Sequence, residues 1–134
     1  MVNAKPADFT GWRAGAHTDF DCLTLLHLRS GQGGLQLCPG KESADIAWTD
    51  VAPMAGLATC NIGDMLMGWS DDKLLSTLHR VRMPRADEYL GPRYSIPFSC
   101  QANKDAVIQG PAKSHAPITA HDYLQERIAA NYAK

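Results

Sequence analysis

The chain lacks the features that mark membrane, secreted or nucleic-acid-binding proteins. Its 134 residues include no apolar run approaching the length of a membrane span, which is about 20 residues. Residues 1–20 lack the apolar core of a secretory signal. The formal net charge of −1 creates no overall field that favours nucleic acid or an anionic membrane. We therefore expect a cytoplasmic protein without nucleic-acid or membrane partners.

The chain has no C-x-x-C pair, so the common zinc and redox motifs built on that spacing are excluded. The four cysteines are Cys22, Cys38, Cys60 and Cys100, and none belongs to a C-x-x-C pair. Without a secretion signal, we expect all four to be reduced. Cys22 and Cys60 lie in apolar runs and are predicted to be small core residues.

The composition that remains is typical of one globular domain built mainly from strands. Hydrophobic residues make up 45% of the chain and charged residues 20%, which is ordinary for a protein with one core. Short apolar runs alternate with Gly, Pro, Asn and Asp, as in an all-β sandwich or barrel. Strands are predicted within residues 16–28, 35–38, 47–51, 57–62, 77–83 and 93–100. Residues 65–69 predict either a helical turn or a strand, and Pro97 favours an edge strand or a bulge.

The C-terminal segment predicts a helix over residues 120–132. Thr119 is a favourable N-cap, and Asp122 suits the positive end of a helix. Leu124, Ile128 and Tyr132 recur every four residues and fall on one face. We expect this face to pack on the sheet.

His17 and Asp19 are the residue pair with the clearest chemical meaning. Side chains two apart on a strand point to the same face, so both can bind one metal ion. His79 is the best candidate for a third ligand. Two histidines and one carboxylate suit non-haem Fe(II), which must bind O2 and a second reactant together. Zn, Ni or Mn could occupy the same ligands.

Arg93 and Ser95 form a second pair that indicates binding. The planar guanidinium of Arg93 matches a carboxylate in bidentate fashion. Ser95 lies two residues later, on the same face of the predicted strand, and its hydroxyl can donate to the same carboxylate.

These motifs stand in the order found in a known family. The matching segments are Gly15–Phe20, Leu23–Leu26, Gly33–Leu37, Trp48, Asn61–Leu66, Ser76–Val81 and Arg93–Phe98. Across them the chain resembles the Fe(II)/2-oxoglutarate-dependent dioxygenases of the isopenicillin N synthase-like subgroup, from about residue 12 to residue 133. The segments Asp19–Leu26 and Asp105–Pro111 look most like fungal members, including thymine dioxygenase-like ones.

The resemblance implies a fold, a reaction and roles for the singled-out residues. The fold would be a double-stranded β-helix, the jelly roll of cupin-like proteins, with a C-terminal helix. The reaction would oxidise a C–H bond of a small organic molecule with O2, converting 2-oxoglutarate to succinate and CO2. His17, Asp19 and His79 would bind Fe(II) and be catalytic, while Arg93 and Ser95 would bind the distal carboxylate of 2-oxoglutarate.

The chain departs from the family in length. Relatives are usually at least twice as long and place a first core strand before the His-x-Asp motif, whereas only sixteen residues precede His17 here. We expect residues 1–14 to be an extension or remnant, 15–112 to form the catalytic jelly roll without its first strand, and 113–134 to carry the helix. The edge left open would be sealed by a missing N-terminal half or by a second copy.

Two other interpretations stay open. One is an oxidase of the same superfamily that does not use 2-oxoglutarate, and succinate formation would distinguish it. The other is a non-catalytic fragment or interaction module whose metal site serves stability. Within the shared motif, Asn61 either faces the pocket or, together with Asp64, stabilises a turn.

Overall fold

A computed structural model describes residues 11–38 and 47–133 of the chain. Residues 1–10, which belong to the expected N-terminal extension, and residues 39–46 and 134 lie outside these ranges. The described elements, in chain order, are β1 (Ala14–His17), β2 (Leu23–Leu28), β3 (Leu35–Cys38), β4 (Thr49–Asp50), β5 (Ala58–Ile62), α1 (Asp64–Trp69), β6 (Leu78–Val81), β7 (Ser95–Cys100), β8 (Val107–Ile108), β9 (Ile118–Thr119) and α2 (Ala120–Tyr132).

The described strands form three sheets. One has four strands in the order β1-β6-β3-β4, the second has three in the order β5-β2-β7, and β8 pairs with β9. The pairs β1–β6, β3–β6, β3–β4 and β8–β9 are antiparallel. The mainly β architecture with a C-terminal helix agrees with the prediction, and β7 is an edge strand among the described strands, as Pro97 indicated.

Contacts divide the chain into two compact units. The first draws on the segment that ends at His17, on Leu26–Thr59 and on Leu78–Ile96, and the second on Thr18–Leu25, Cys60–Thr77 and the segment from Pro97 onward. In the first unit, the Arg80 guanidinium lies 4.0 Å from the Trp12 ring centre and 3.8 Å from that of Trp48. Arg80 Nε also donates to Gln36 Oε1 at 2.8 Å. This stacked arginine joins the polar face of β3 and β6 to two large rings.

The second unit contains a small apolar core. Met65, Ile108 and Ala120 are buried together, and partly buried neighbours pack on them. These neighbours include Trp69 and Tyr123. The core therefore joins α1, β8 and the start of α2.

The strand predictions were too long at the functional positions. β1 ends at His17, so Asp19 lies in the connection that follows and does not share a strand with His17. β7 begins at Ser95, so Arg93 precedes the strand. Residues 65–69 fall in the helix α1.

The burial predicted for Cys60 was wrong. Cys60 is exposed although it lies in an apolar run, because successive side chains of β5 point to opposite faces and its neighbour Asn61 takes the buried one. The four cysteines all lie in the described ranges and none forms a disulfide there, in agreement with the expectation of reduced thiols.

The C-terminal helix was predicted with the right bounds, and only Leu124 of its predicted apolar face is partly buried. Thr119 caps it by accepting from the Asp122 amide, as expected. However, Ile128 is 38% exposed and Tyr132 is 87% exposed. The less exposed side instead carries Ala120, Tyr123, Leu124 and Arg127, because Arg127 forms an ion pair with a buried carboxylate described below. Within the described ranges, no helix combines the length and apolarity that a membrane crossing requires.

Candidate metal centre and anion site

Strand pairing brings two histidines face to face. β1 and β6 are neighbours, and His17 stands opposite His79 in their register. The two ring centres are 4.3 Å apart. His79 is buried whereas His17 is exposed, so one ligand is anchored inside the protein and the other is accessible to solvent.

The tautomer of His17 follows from its contact with the backbone. Its Nδ1 lies 2.7 Å from the carbonyl oxygen of Gly15. Because a carbonyl can only accept a hydrogen bond, Nδ1 carries the proton and Nε2 carries the lone pair. This bond orients the ring and presents Nε2 as a metal-binding atom.

Asp19 completes the set although it lies outside the strand. Candidate ligand atoms of His17, Asp19 and His79 all lie within 4.8 Å of one another. Two imidazoles and one carboxylate at this spacing fit a facial triad, which binds one divalent ion and keeps further positions open. The structure thus brings together the three residues that the sequence predicted as ligands.

Two side chains hold the carboxylate of Asp19. Asn61 Nδ2 donates to Asp19 Oδ2 at 2.8 Å, and Thr24 Oγ1 donates to the same oxygen at 2.6 Å. Asn61 therefore contacts a candidate ligand and does more than stabilise a turn. Thr24 also lies 2.9 Å from Asp21, whose pKa is raised chiefly by burial. Sequence reasoning missed Thr24, since its only signal is a position five residues after Asp19.

The backbone around Asp19 is fixed by the turn that begins α1. The amides of Gly63, Asp64 and Met65 donate to the carbonyls of Cys22, Asp19 and Asp21, respectively. A Cβ atom at position 63 would overlap the Asp21 carbonyl, so only glycine allows this close approach. The shared motif Asn61–Asp64 is therefore the support of the Asp19 loop.

Asp64 connects the same loop to the C-terminal helix. Its carboxylate is 5% exposed and accepts from Thr18 Oγ1 at 3.0 Å. Arg127 of α2 forms an ion pair with it at 2.7 Å and lies over the Phe20 ring at 4.9 Å. The residues on both sides of Asp19 thus contact a buried charge pair.

Arg93 and Ser95 form the second candidate site. Arg93 Nη1 donates to Ser95 Oγ at 3.1 Å. Arg93 Nε and Nη2 are buried and have no hydrogen-bond partner among the described residues. Burial, together with the charge of Arg13, lowers the pKa of Arg93.

The chemistry of both sites fits the groups that the sequence predicted. Nε and Nη2 are the side-on pair of a guanidinium, and they match the two oxygens of one carboxylate. Buried arginine donors require an acceptor, and a carboxylate satisfies both of them and the positive charge at once. The triad suits Fe(II), and the arginine suits an acidic co-substrate such as 2-oxoglutarate.

Known proteins resemble this chain over most of its length. The 2-oxoglutarate-Fe(II) type oxidoreductase hxnY of Emericella nidulans is 34% identical over 90% of this chain and 34% of its own length. The structure of a full-length Neurospora crassa protein in complex with alpha-KG matches at TM-score 0.81 with 34% identity, over 94% of this chain and 40% of that one. A structure of the same protein that also holds thymine matches at TM-score 0.78. These similarities support the jelly-roll class and the predicted likeness to fungal enzymes.

The chain spans about a third of the length of the curated relatives it matches. The family model described as the 2OG-Fe(II) oxygenase superfamily matches residues 2–102, which is most of the chain. The chain belongs to the 2OG-Fe(II) oxygenase superfamily.

Proposed function

We propose that the chain carries the catalytic core of an Fe(II)- and 2-oxoglutarate-dependent oxygenase acting on a small organic molecule. The reaction would oxidise a C–H bond and release succinate and CO2. The observation that carries the proposal is the approach of His17, Asp19 and His79 to within 4.8 Å. Membership of the superfamily supports iron as the metal and 2-oxoglutarate as the co-substrate.

One group of residues would bind the metal, and a second group would bind the co-substrate. His17, through Nε2, His79 and Asp19 would bind the metal on one face and keep the opposite face open. When bound, Fe(II) supplies the site at which O2 is activated. Arg93 and Ser95 would hold the distal carboxylate and so set the orientation of 2-oxoglutarate.

The buried donors of Arg93 fit an acidic ligand, and 2-oxoglutarate supplies one. In an oxidase that does without 2-oxoglutarate, another carboxylate, such as one on the substrate, would have to occupy this position. In the non-catalytic alternative, the metal site would serve stability and no anion would be needed at Arg93. Iron binding without 2-oxoglutarate binding would favour these alternatives.

A planar nucleobase is the first substrate class to test. Structures of the Neurospora crassa protein hold thymine in one case and 5-formyluracil in another, at 34% and 33% identity to this chain. Because substrate contacts in such enzymes also involve parts of the relatives that this chain does not match, pyrimidines are a starting point for a wider set of small molecules.

The organisation we propose is a jelly roll over residues 15–112 with the helical segment at 113–134 and an extension before residue 15. Among the described strands, the three-stranded sheet ends at β7. A further strand, for example from a second copy of the chain, would pair with this edge. We place the protein in the cytoplasm.

An anaerobic titration tests the proposed function. Fe(II) and then 2-oxoglutarate are added to the apo-protein while the weak visible charge-transfer band is followed. We expect the band in the native chain and its loss in His79→Ala and Asp19→Ala, because each variant removes one of three ligands. Arg93→Met should bind Fe(II) normally and lose the band at moderate 2-oxoglutarate concentrations.

The control is His121→Ala, which removes an exposed histidine of α2. Succinate is then measured in air with pyrimidines and other small molecules. Succinate formation by Asp19→Ala at the native rate would contradict the assignment of the triad. A native chain that binds iron without forming the band would contradict the use of 2-oxoglutarate.

A further inference from the structure

The backbone conformation of Arg93, and with it the direction of its side chain, is not fixed by strand pairing. Residues 92–94 precede β7, whose pairing begins at Ser95. An arginine side chain has many rotamers, and its direction depends first on the φ and ψ angles of its own residue. Something other than the sheet ladder must therefore fix the backbone at this position.

The side chain of Gln32 supplies that support. Its Nε2 donates to the carbonyl of Pro92 at 2.8 Å, and its Oε1 accepts from the amide of Tyr94 at 2.7 Å. The two bonded groups flank Arg93 on either side. In an extended chain, the carbonyl of one residue and the amide two residues later face the same edge. One side-chain amide thus pairs with Arg93's neighbours as a short strand would.

Gln32 is itself held in place. It is 8% exposed, and its backbone amide donates to the Arg29 carbonyl at 3.1 Å in the turn before β3. Gly31 has a φ of 77°, a value that glycine adopts without strain. Both polar atoms of the Gln32 amide have partners, so the buried amide carries no unsatisfied group.

We propose that Gln32 is a positioning residue for the anion site and that it sets 2-oxoglutarate affinity by fixing Arg93. This inference rests on the proposed function, because it gives Arg93 the distal carboxylate as its ligand. Gln32 would orient Nε and Nη2 of Arg93 and would not itself contact the co-substrate. Its loss should therefore weaken recognition of the distal carboxylate and leave the metal centre unchanged.

Gln32→Met tests the inference, because methionine preserves length and removes both hydrogen bonds. We expect the dissociation constant for 2-oxoglutarate, measured anaerobically with Fe(II) bound, to rise about tenfold, in line with loss of a well-oriented charged contact. The dissociation constant for Fe(II) should stay within about twofold of the native value, because the three ligands and their supports are untouched. Binding of 2-oxobutyrate, which lacks the distal carboxylate, should be unchanged.

The matched control is Gln36→Met. Gln36 is also 8% exposed, and its amide also makes two hydrogen bonds, to Asp50 Oδ1 and from Arg80 Nε. It should lower the unfolding midpoint as Gln32→Met does and leave 2-oxoglutarate binding unchanged. A general loss of stability would affect both variants, and it would not distinguish 2-oxoglutarate from 2-oxobutyrate.

Gln32→Glu provides a second variant if Gln32→Met does not fold, since it retains the acceptor for the Tyr94 amide and loses the donor to Pro92. Native 2-oxoglutarate affinity in a folded Gln32 variant, beside a loss in Arg93→Met, would overturn the role of Gln32 and leave the proposed function intact. A native chain that binds Fe(II) and not 2-oxoglutarate would overturn both.

Discussion

At the scale of single residues, the candidate metal centre depends on groups outside the three candidate ligands. Asp19 lies beyond the end of β1, so its carboxylate is held by Asn61 and Thr24 rather than by a strand. Hydrogen bonds to a ligating carboxylate fix its orientation before a metal arrives.

Asn61→Ala should weaken Fe(II) binding while retaining the three ligands. The variant removes the amide donor to Asp19 Oδ2, and the loss of such a partner typically costs about 10- to 100-fold in metal affinity. The measurement is an anaerobic Fe(II) titration of the apo-protein. Asn131→Ala, at an exposed position of α2, is the control. Native affinity in Asn61→Ala would show that Thr24 and the backbone are sufficient.

The three candidate ligands that the structure brings together could be predicted from the sequence, and the side chains that hold them could not. His17, Asp19 and His79 have a recognisable order, and imidazole and carboxylate groups have a well-defined preference for metals. Thr24 and Gln32 have no such signature, because a hydroxyl or an amide becomes a supporting group only through the folded geometry. Asn61 lies between these cases, since its motif was visible and its contact with Asp19 was not.

At the scale of elements, the C-terminal helix contacts α1 through the apolar core and through an ion pair between Arg127 and the buried carboxylate of Asp64. Arg127 reaches Asp64, which is the first residue of α1 and also accepts from Thr18. The apolar spacing of Leu124, Ile128 and Tyr132 therefore identified the packed face only in part. That face also carries Arg127, and hydrophobic periodicity does not report a charged residue that packs through an ion pair.

Arg127→Met should destabilise the chain because it leaves the Asp64 carboxylate buried without its cation. Breaking a fully buried pair costs about 3–5 kcal/mol. Since Arg127 is 42% exposed, we expect about 1–3 kcal/mol in the free energy of unfolding by urea. Asp64→Asn combined with Arg127→Met should recover part of the loss, which a double-mutant cycle measures. The control is Glu126→Met on the exposed side of α2, and additive effects in the cycle would contradict the coupling.

Strand bounds were the least predictable feature among the elements. The apolar runs correctly located β3, β5 and β6. The end of β1 and the start of β7, however, depend on where backbone hydrogen bonds to the neighbouring strand stop, and the sequence does not show this. In both cases a predicted functional residue, Asp19 or Arg93, lies just outside the strand. These residues are held by side chains, and side-chain support leaves no periodic pattern in the sequence.

At the scale of the whole molecule, β7 is an open edge within the part of the chain that the structure describes. Its residues Ile96 and Phe98 point to the same face and are 70% and 62% exposed. An edge strand with exposed apolar side chains favours pairing with another chain. Pro97 blocks one ladder position and leaves the remaining ones available.

The isolated chain should therefore associate as its concentration rises, and Phe98→Lys should shift it towards the monomer. The lysine places a charge on the edge that would have to be desolvated in a paired strand. Sedimentation velocity over a wide range of concentrations measures the change. Tyr132→Lys, at an 87% exposed residue of α2, is the matched control. A native chain that stays monomeric at all concentrations would contradict pairing through β7 between copies.

The three amides of Gly63, Asp64 and Met65 that bond to the carbonyls of Cys22, Asp19 and Asp21 have a kinetic consequence. The first turn of α1 cannot open without releasing the Asp19 loop, and the loop cannot move away without exposing the same amides to solvent. Their hydrogen–deuterium exchange should consequently proceed at a common rate. The common exchange rate then measures how often the loop that carries Asp19 opens, and it can be measured in the absence of iron.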